Sequence, residues 1–177
     1  MIIVVFGLPG TGKSCLARHL AEDTRALYLN TDITREMLNK QGKYDKETKR
    51  EVYEKILEEI TRPDAQRRTV IVDGTFSNKS FRHMFNKRSW ELERYLYYIE
   101  LKAADHEVKK RMKKDRAYSE ADYSVYKKMK AAFDYMPEQH LVMRSDKLGI
   151  NEMKEKAKAL FNGKRTDSAT VRDMQVR

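Results

Sequence analysis

At 177 residues the chain falls within the single-domain range and can bury one substantial core without covalent staples, and its lone cysteine, Cys15, excludes an internal disulfide framework. No apolar run approaches the roughly 20 residues needed to span a bilayer, and no basic leader precedes the first apolar segment, so a cytoplasmic protein without a membrane partner is expected. A formal net charge of +10, with a pI near 9.6, implies a positive field that attracts nucleotides, phosphorylated metabolites or nucleic acid without choosing among them.

Ile2–Phe6 is a continuous apolar, β-branched run ended by glycine, the pattern of a strand buried on both faces by flanking helices. Residues 7–14, Gly-Leu-Pro-Gly-Thr-Gly-Lys-Ser, follow at once and match G-x-x-x-x-G-K-[ST] at every fixed position. Leu16, Ala17 and Leu20 then give the period of an amphipathic helix. The loop therefore lies between a strand and a helix N-terminus, where backbone N–H groups converge on an anion. The expected ATP contacts are Gly7, Pro9, Gly10, Thr11, Gly12, Lys13, Ser14 and Cys15, with the Cys15 side chain read as packing rather than chemistry. Lys13 supplies a mobile positive charge for the β- and γ-phosphates, and the Ser14 hydroxyl is placed to bind the Mg²⁺ that bridges them.

A second apolar run at residues 26–29 leads into Asn30, Thr31, Asp32, Ile33, Thr34 and Arg35. Parallel strands all end on one edge of their sheet, so Asp32 is expected at the mouth that holds the phosphate loop. A carboxylate there accepts a hydrogen bond from an attacking hydroxyl and aligns it with the γ-phosphate; with a loose transition state, alignment matters more than basicity. Arg35 falls on the same side if a helix begins here. The competing reading makes Thr31 or Asp32 merely the N-cap of that helix.

Val52, Ile56 and Ile60 recur at helical spacing, and Pro63 within the polar 62–68 segment breaks the chain before a third strand at 69–72. That strand ends on Asp73, where a carboxylate lies near a metal or its waters and can also meet the acceptor, with Thr75 and Arg82 following as further acceptor-side contacts. A fourth strand at 95–101 is followed by a helix over 105–116 with only Val108 and Met112 as apolar anchors. So thinly anchored a basic element suits a lid that closes over ATP and brings Arg111 and Arg116 to the γ-phosphoryl charge. Tyr126, Met129, Phe133 and Met136 form a further helical stripe closed by Pro137; a fifth strand at 140–143 precedes the stripe Ile150, Met153, Ala157 and Leu160. The expectation is an α/β fold: a five-stranded parallel sheet sandwiched by helices, with a helical lid, in one domain over 1–162, and a mobile tail at 163–177.

An Asn-Lys-x-Asp guanine motif is absent, and Asp-x-x-Gly occurs only at 146–149, after the last strand, where it reads as a turn. A GTPase switch is thereby set aside in favour of a compact phosphotransferase. With residues 7–14, Thr31-Asp32-x-x-Arg35, Asp73-Gly74-Thr75-Phe76 with Arg82, the Arg111 and Arg116 segment, and Ser119-Glu120-Ala121-Asp122 before the helix at 123–133, the chain resembles a family of small P-loop kinases. That family includes polynucleotide 5′-hydroxyl kinase, chloramphenicol phosphotransferase, zeta-toxin-like kinases and archaeal seryl-tRNA kinase, and the resemblance spans residues 2–160. It implies Asp32 as the acceptor-activating carboxylate, Arg35 as a contact to an anionic substrate group, and lid arginines on the ATP phosphates. Relatives often place three residues between the lid arginines, whereas Arg111 and Arg116 enclose four.

The basic balance and Arg35 beside Asp32 point first to a polynucleotide 5′-hydroxyl as acceptor, with a small-metabolite or antibiotic hydroxyl as the alternative. A third reading is a nucleotide-controlled nucleic-acid binding module that exposes Tyr97, Tyr98, Tyr118, Tyr123 and Tyr126; their spacing equally suits burial.

Overall fold

The structure is a computed structural model that describes residues 1–113, 123–137 and 139–162. Five strands, β1 (Ile2–Phe6), β2 (Leu27–Asn30), β3 (Val70–Gly74), β4 (Leu96–Lys102) and β5 (Leu141–Arg144), form one wholly parallel sheet in the order β2-β3-β1-β4-β5. Parallel neighbours require crossovers, and helices supply them. These are α1 (Lys13–Thr24), α2 (Thr31–Met37), α3 (Lys46–Thr61), α4 (Pro63–Gln66), α5 (Lys79–Glu91), α6 (Asp105–Met112), α7 (Tyr123–Ala131) and α8 (Ile150–Asn162). The architecture is the expected α/β one, a five-stranded parallel sheet flanked by helices.

The unbroken apolar run of β1 is explained by two separate cores. Ile2, Val4 and Phe6 face Val52, Ile56 and Ile60 of α3 and Phe81 and Phe85 of α5, while Ile3 and Val5 face Leu16 and Leu20 of α1 and Met153 and Ala157 of α8. Each such side chain other than Ala157, buried almost completely, contributes about 1.5–3 kcal/mol relative to exposure. The stripes read from the sequence on α3 and α8 are therefore core faces.

Strands β2, β4 and β5 each end one residue later than their apolar runs, on Asn30, Lys102 and Arg144, and β3 ends two residues later, on Gly74. Ladder hydrogen bonds do not require apolar side chains, so the sheet continues past the hydrophobic stretch to its polar edge. Register then decides what meets there: Val5 pairs with Asp73 on one side of β1, and Phe6 pairs with Glu100 on the other. At the opposite edge Arg94 donates to the carbonyls of Met1 (2.9 Å), Arg68 (2.6 Å) and Ile60 (3.5 Å), tying the starts of β1 and β3 to the end of α3.

The stripe from Tyr126 to Met136 is not one helix. It stops at Ala131, because the Asp134 amide donates to the Ser77 carbonyl (2.8 Å) and Arg82 takes the carbonyls of Asp134 and Tyr135, which pulls the chain off the helical path. Phe133 and Met136 still reach the core from this loop. Tyr97, Tyr98 and Tyr126 are buried. No helix among the described residues is long and apolar enough to cross a membrane. The lid expectation beyond residue 113, including Arg116, Tyr118 and residues 119–122, lies outside the described residues, as does the tail at 163–177.

Candidate active site

The phosphate loop leaves β1 through Gly7, whose φ is +143° and whose backbone lies so close to the Leu101 carbonyl oxygen that a Cβ would collide with it, leaving no room for a side chain. Thr11 closes the turn internally, its amide (3.3 Å) and hydroxyl (2.8 Å) both donating to the Leu8 carbonyl. Gly12 heads α1 at φ +89°. Having no side chain, it caps none of the first-turn amides, and a helix start of this kind presents unsatisfied N–H groups to an anion. Lys13 and Ser14, the first residues of α1, are half-buried. Cys15 departs from its packing assignment: it is exposed, with only the His19 ring 3.8 Å away, because the buried face of α1 begins at Leu16 and Ala17. Pro9 is buried and Gly10 half-buried in the loop.

Asn30, the last residue of β2, is a hub that sequence reasoning missed. Its Oδ1 accepts from the amides of Asp32 (2.8 Å) and Ile33 (3.0 Å), which makes it the N-cap of α2, and its Nδ2 donates to Asp73 Oδ2 (2.5 Å) across the β2–β3 register. An asparagine directly ahead of Thr-Asp-Ile is a capping signal that could have found the first role; the second depends on strand register. The cap alternative for Thr31 or Asp32 is thereby replaced. Asp32 instead receives Arg35 Nη1 at 2.5 Å, with its side chain 39% exposed and that of Arg35 8%. Arg35 is half-covered by the Tyr44 ring, 4.6 Å from the guanidinium carbon, and its buried Nε has no protein partner. Lys49 stands nearby on α3; burial, and then the Arg35 charge, hold its pKa below the ordinary lysine value.

Asp73 is fully buried. Oδ2 takes both Asn30 and the Tyr28 hydroxyl (2.8 Å), while Oδ1 has no protein partner. Burial, reinforced by the Asp73 charge, raises the Tyr28 pKa well above the ordinary phenol value, so the hydroxyl stays protonated and donates. An orphaned buried carboxylate oxygen is costly unless something positive or protic meets it. Among the described residues no group of three or more His, Cys, Asp or Glu side chains could hold a metal, so a cation here would draw on few protein ligands.

Beyond Asp73 the chain turns sharply at Phe76, φ +47°, a strained value for an aromatic residue. Four contacts impose it: the Phe76 amide donates to Tyr53 Oη (3.1 Å), its carbonyl accepts from Arg82 Nη1 (2.8 Å), and its ring packs on Tyr53 and Phe85. Thr75, half-buried, sits between Asp73 and this turn. The acceptor-contact expectation for Arg82 does not survive. Its side chain is 1% exposed and its donors serve the carbonyls of Phe76, Asp134 and Tyr135, because Arg82 lies on the inward face of α5 with Phe81 and Phe85. Arg82→Met is expected to cost about 2–4 kcal/mol, since charge-assisted bonds are lost and three carbonyls must find other donors. A urea unfolding midpoint unchanged from the parent protein would contradict this structural role.

Arg111 reaches the phosphate loop from α6. Nη1 donates to Ser145 Oγ (2.8 Å) and Gly10 O (3.4 Å), Nη2 donates to Ser145 O (3.1 Å), and Nε pairs with Glu107 (3.1 Å). Ser145, just past β5, donates its own hydroxyl proton to the Thr11 carbonyl (2.5 Å). Ser145 is the second residue missed from the sequence, where a serine in a turn carried no distinguishing signal. The turn read at 146–149 forms one residue earlier, over residues 145–147, with Asp146 held by Arg144 (2.7 Å).

A family model described as an AAA domain (AAA_33) matches residues 2–136. No curated protein matches the chain by sequence. Among solved structures the chain is similar to a gluconokinase from Sinorhizobium meliloti 1021, with a TM-score of 0.73 at 16% identity over 94% of this chain and 96% of that one. It is also similar to the APS kinase of Mycobacterium tuberculosis in complex with AMPPNP and APS, with a TM-score of 0.72 at 16% identity over 91% and 96% of the two chains. A sugar kinase from Janibacter sp. gives 0.68 at 17% identity over 91% and 94%. At such identities the likeness is one of fold.

Proposed function

From the premise that the chain belongs to the AAA-domain family, we propose that it is an ATP-dependent kinase that transfers the γ-phosphate to a hydroxyl acceptor, with residues 1–162 as the catalytic domain. The observation that carries this reading is the Asp32 carboxylate: Asn30 takes over the capping of α2, and Asp32 is left partly exposed at the sheet edge from which the phosphate loop departs. Its one protein partner among the described side chains is Arg35, which leaves the second carboxylate oxygen available to an incoming hydroxyl.

In the proposed reaction the loop from Gly7 to Ser14 cradles the phosphates and Lys13 compensates their charge. Ser14 and the unpartnered Asp73 Oδ1 would hold Mg²⁺, which neutralises charge on the β- and γ-oxygens. Asp32 accepts a hydrogen bond from the acceptor hydroxyl and holds it in line with the γ-phosphorus. As the new O–P bond forms, the bond to the β,γ-bridging oxygen breaks, ADP leaves, and the acceptor proton passes to Asp32 and on to solvent. Arg35 orients Asp32, and Arg111 stiffens the loop through Gly10 and Ser145 while remaining close to the phosphates. Arg116 is proposed as a second lid arginine on the strength of the sequence pattern alone.

The proposed acceptor is a polynucleotide 5′-hydroxyl, supported by the net charge of +10, by Arg35 beside Asp32 and by Lys49 close enough to Arg35 to feel its charge. A small metabolite hydroxyl is the second reading, favoured by the fold shared with proteins named gluconokinase and sugar kinase. Incubation with γ-labelled ATP and Mg²⁺ against 5′-hydroxyl oligonucleotides, nucleosides and sugars separates them. Label is expected on the oligonucleotide 5′ end, with kcat/KM falling steeply as salt rises. Label confined to a small neutral acceptor and insensitive to salt would remove the polynucleotide, and ATP binding without transfer to any acceptor would remove the kinase.

A further inference from the structure

The basic charge is unevenly compensated over the described surface. Arg50 and Lys55 on α3 pair with Glu54 and Glu58, Lys87 and Arg88 on α5 with Glu91, and Lys154 and Lys158 on α8 with Asp23. On α6 and α7 four exposed lysines, Lys109, Lys110, Lys127 and Lys128, make no ion pair among the described residues, against a single such lysine on each of α3 (Lys46), α5 (Lys79) and α8 (Lys156). Lys109 and Lys127 lie on either helix against one ring, 5.6 and 5.2 Å from the Tyr123 centroid. Asp105 joins the two helices by accepting from Tyr126 Oη (2.7 Å) and Lys130 (2.6 Å).

The loop after α7 adds an aromatic side chain that the fold does not use. Phe133 stacks on Phe6, the Asp134 amide and carboxylate bond Ser77 and the Lys79 amide, the Tyr135 carbonyl accepts from Arg82 (3.0 Å), and Met136 is buried. Between these anchors the Tyr135 side chain is 83% exposed. An aromatic ring projecting from so tightly held a backbone has lost most of its main-chain freedom before any ligand arrives, which lowers the entropic cost of using it in binding. It also stands beside the Asp73–Phe76 turn, since the Ser77 carbonyl accepts the Asp134 amide and Arg82 bridges the Phe76 carbonyl to those of Asp134 and Tyr135. Through Arg111 and Gly10, the other end of the α6–α7 pair touches the phosphate loop.

We propose that Tyr135 and the Lys109/Lys127 face of α6 and α7 form a docking surface for a single-stranded polynucleotide, the ring stacking on a base and the lysines holding phosphates. This rests on the polynucleotide reading of the acceptor. Lysines without an ion pair among the described residues recognise a polyanion, and an exposed ring on a held backbone recognises a planar base; together they fit a single strand better than a lipid headgroup layer, which offers no flat partner.

The test is fluorescence anisotropy with a short 3′-fluorescein oligothymidylate, without ATP. Tyr135→Ala is expected to weaken binding about 5- to 150-fold, the effect of one lost base–aromatic stack, and Tyr135→Trp to retain it. The pair Lys109→Gln with Lys127→Gln should lower the slope of log affinity against log salt by about 1–2. Unchanged affinity in Tyr135→Ala overturns the surface, as does binding to phosphatidylglycerol vesicles that the oligonucleotide cannot compete away. A parallel assay with γ-labelled ATP keeps the two readings apart. Tyr135-dependent binding without phosphorylation of the strand leaves the surface standing and removes the acceptor assignment; phosphorylation with the same KM in Tyr135→Ala does the reverse.

Discussion

Lys13→Ala is expected to lower kcat for phosphoryl transfer by about 10²–10³, the usual effect of removing one preorganised electrostatic partner of the transition state. The fold should be untouched. Lys13 makes no ion pair among the described residues, and the bonds that shape the loop run between other groups: Thr11 to Leu8, Ser145 to Thr11, and Arg111 to Gly10. A point charge at the first position of α1 adds to the field of the helix N-terminus, so its loss weakens the attraction for developing phosphoryl charge without removing the amides themselves. Single-turnover transfer to the acceptor identified by the labelling screen, alongside a urea titration, separates chemistry from stability. An undiminished rate in a folded variant would remove Lys13 from the reaction and, with it, the reason for treating the loop as catalytic.

How far the site could be read from the chain follows from how each part is specified. The phosphate loop is local: strand, glycines, lysine and helix succeed one another in residues 2–20, and the close approach of the Leu101 carbonyl to Gly7 agrees with the glycine already present, while the contacts of Arg111 with Gly10 and of Ser145 with Thr11 only brace it from outside. The five strands were legible because both faces of the sheet are covered, which forces continuous apolar runs. Asn30 and Ser145 were not, because their second partners, Asp73 and Arg111, are brought to them by register and by helix packing across 43 and 34 residues of chain. Arg82 was misread for a related reason. Its position after Thr75 suggested the mouth, but α5 is oriented by Phe81 and Phe85, and the residue between them in space turns inward to hold the main chain.

Asp32→Asn separates alignment from structure more sharply than any other single change in the site. Asparagine keeps the shape of the side chain, and the α2 cap is supplied by Asn30, so helix and strand junction should persist. The Arg35 guanidinium loses a charged partner for a neutral one; with Asp32 39% exposed, solvent screens the pair and the cost is on the order of 1 kcal/mol. Catalysis should fall much further. An amide oxygen accepts a weaker hydrogen bond from the nucleophile and cannot take its proton, and loss of a positioned general base typically removes about 10²–10⁴ in rate. The expected result is therefore a folded protein that binds ATP as the parent does, with kcat reduced by that factor and KM for the acceptor little changed. If turnover at saturating acceptor stays within a few-fold of the parent, Asp32 serves only to anchor Arg35. The hydroxyl would then have to be aligned by some other group at the sheet edge, of which Asp73, buried and already bonded to Tyr28 and Asn30, is poorly placed to accept a proton from an incoming substrate.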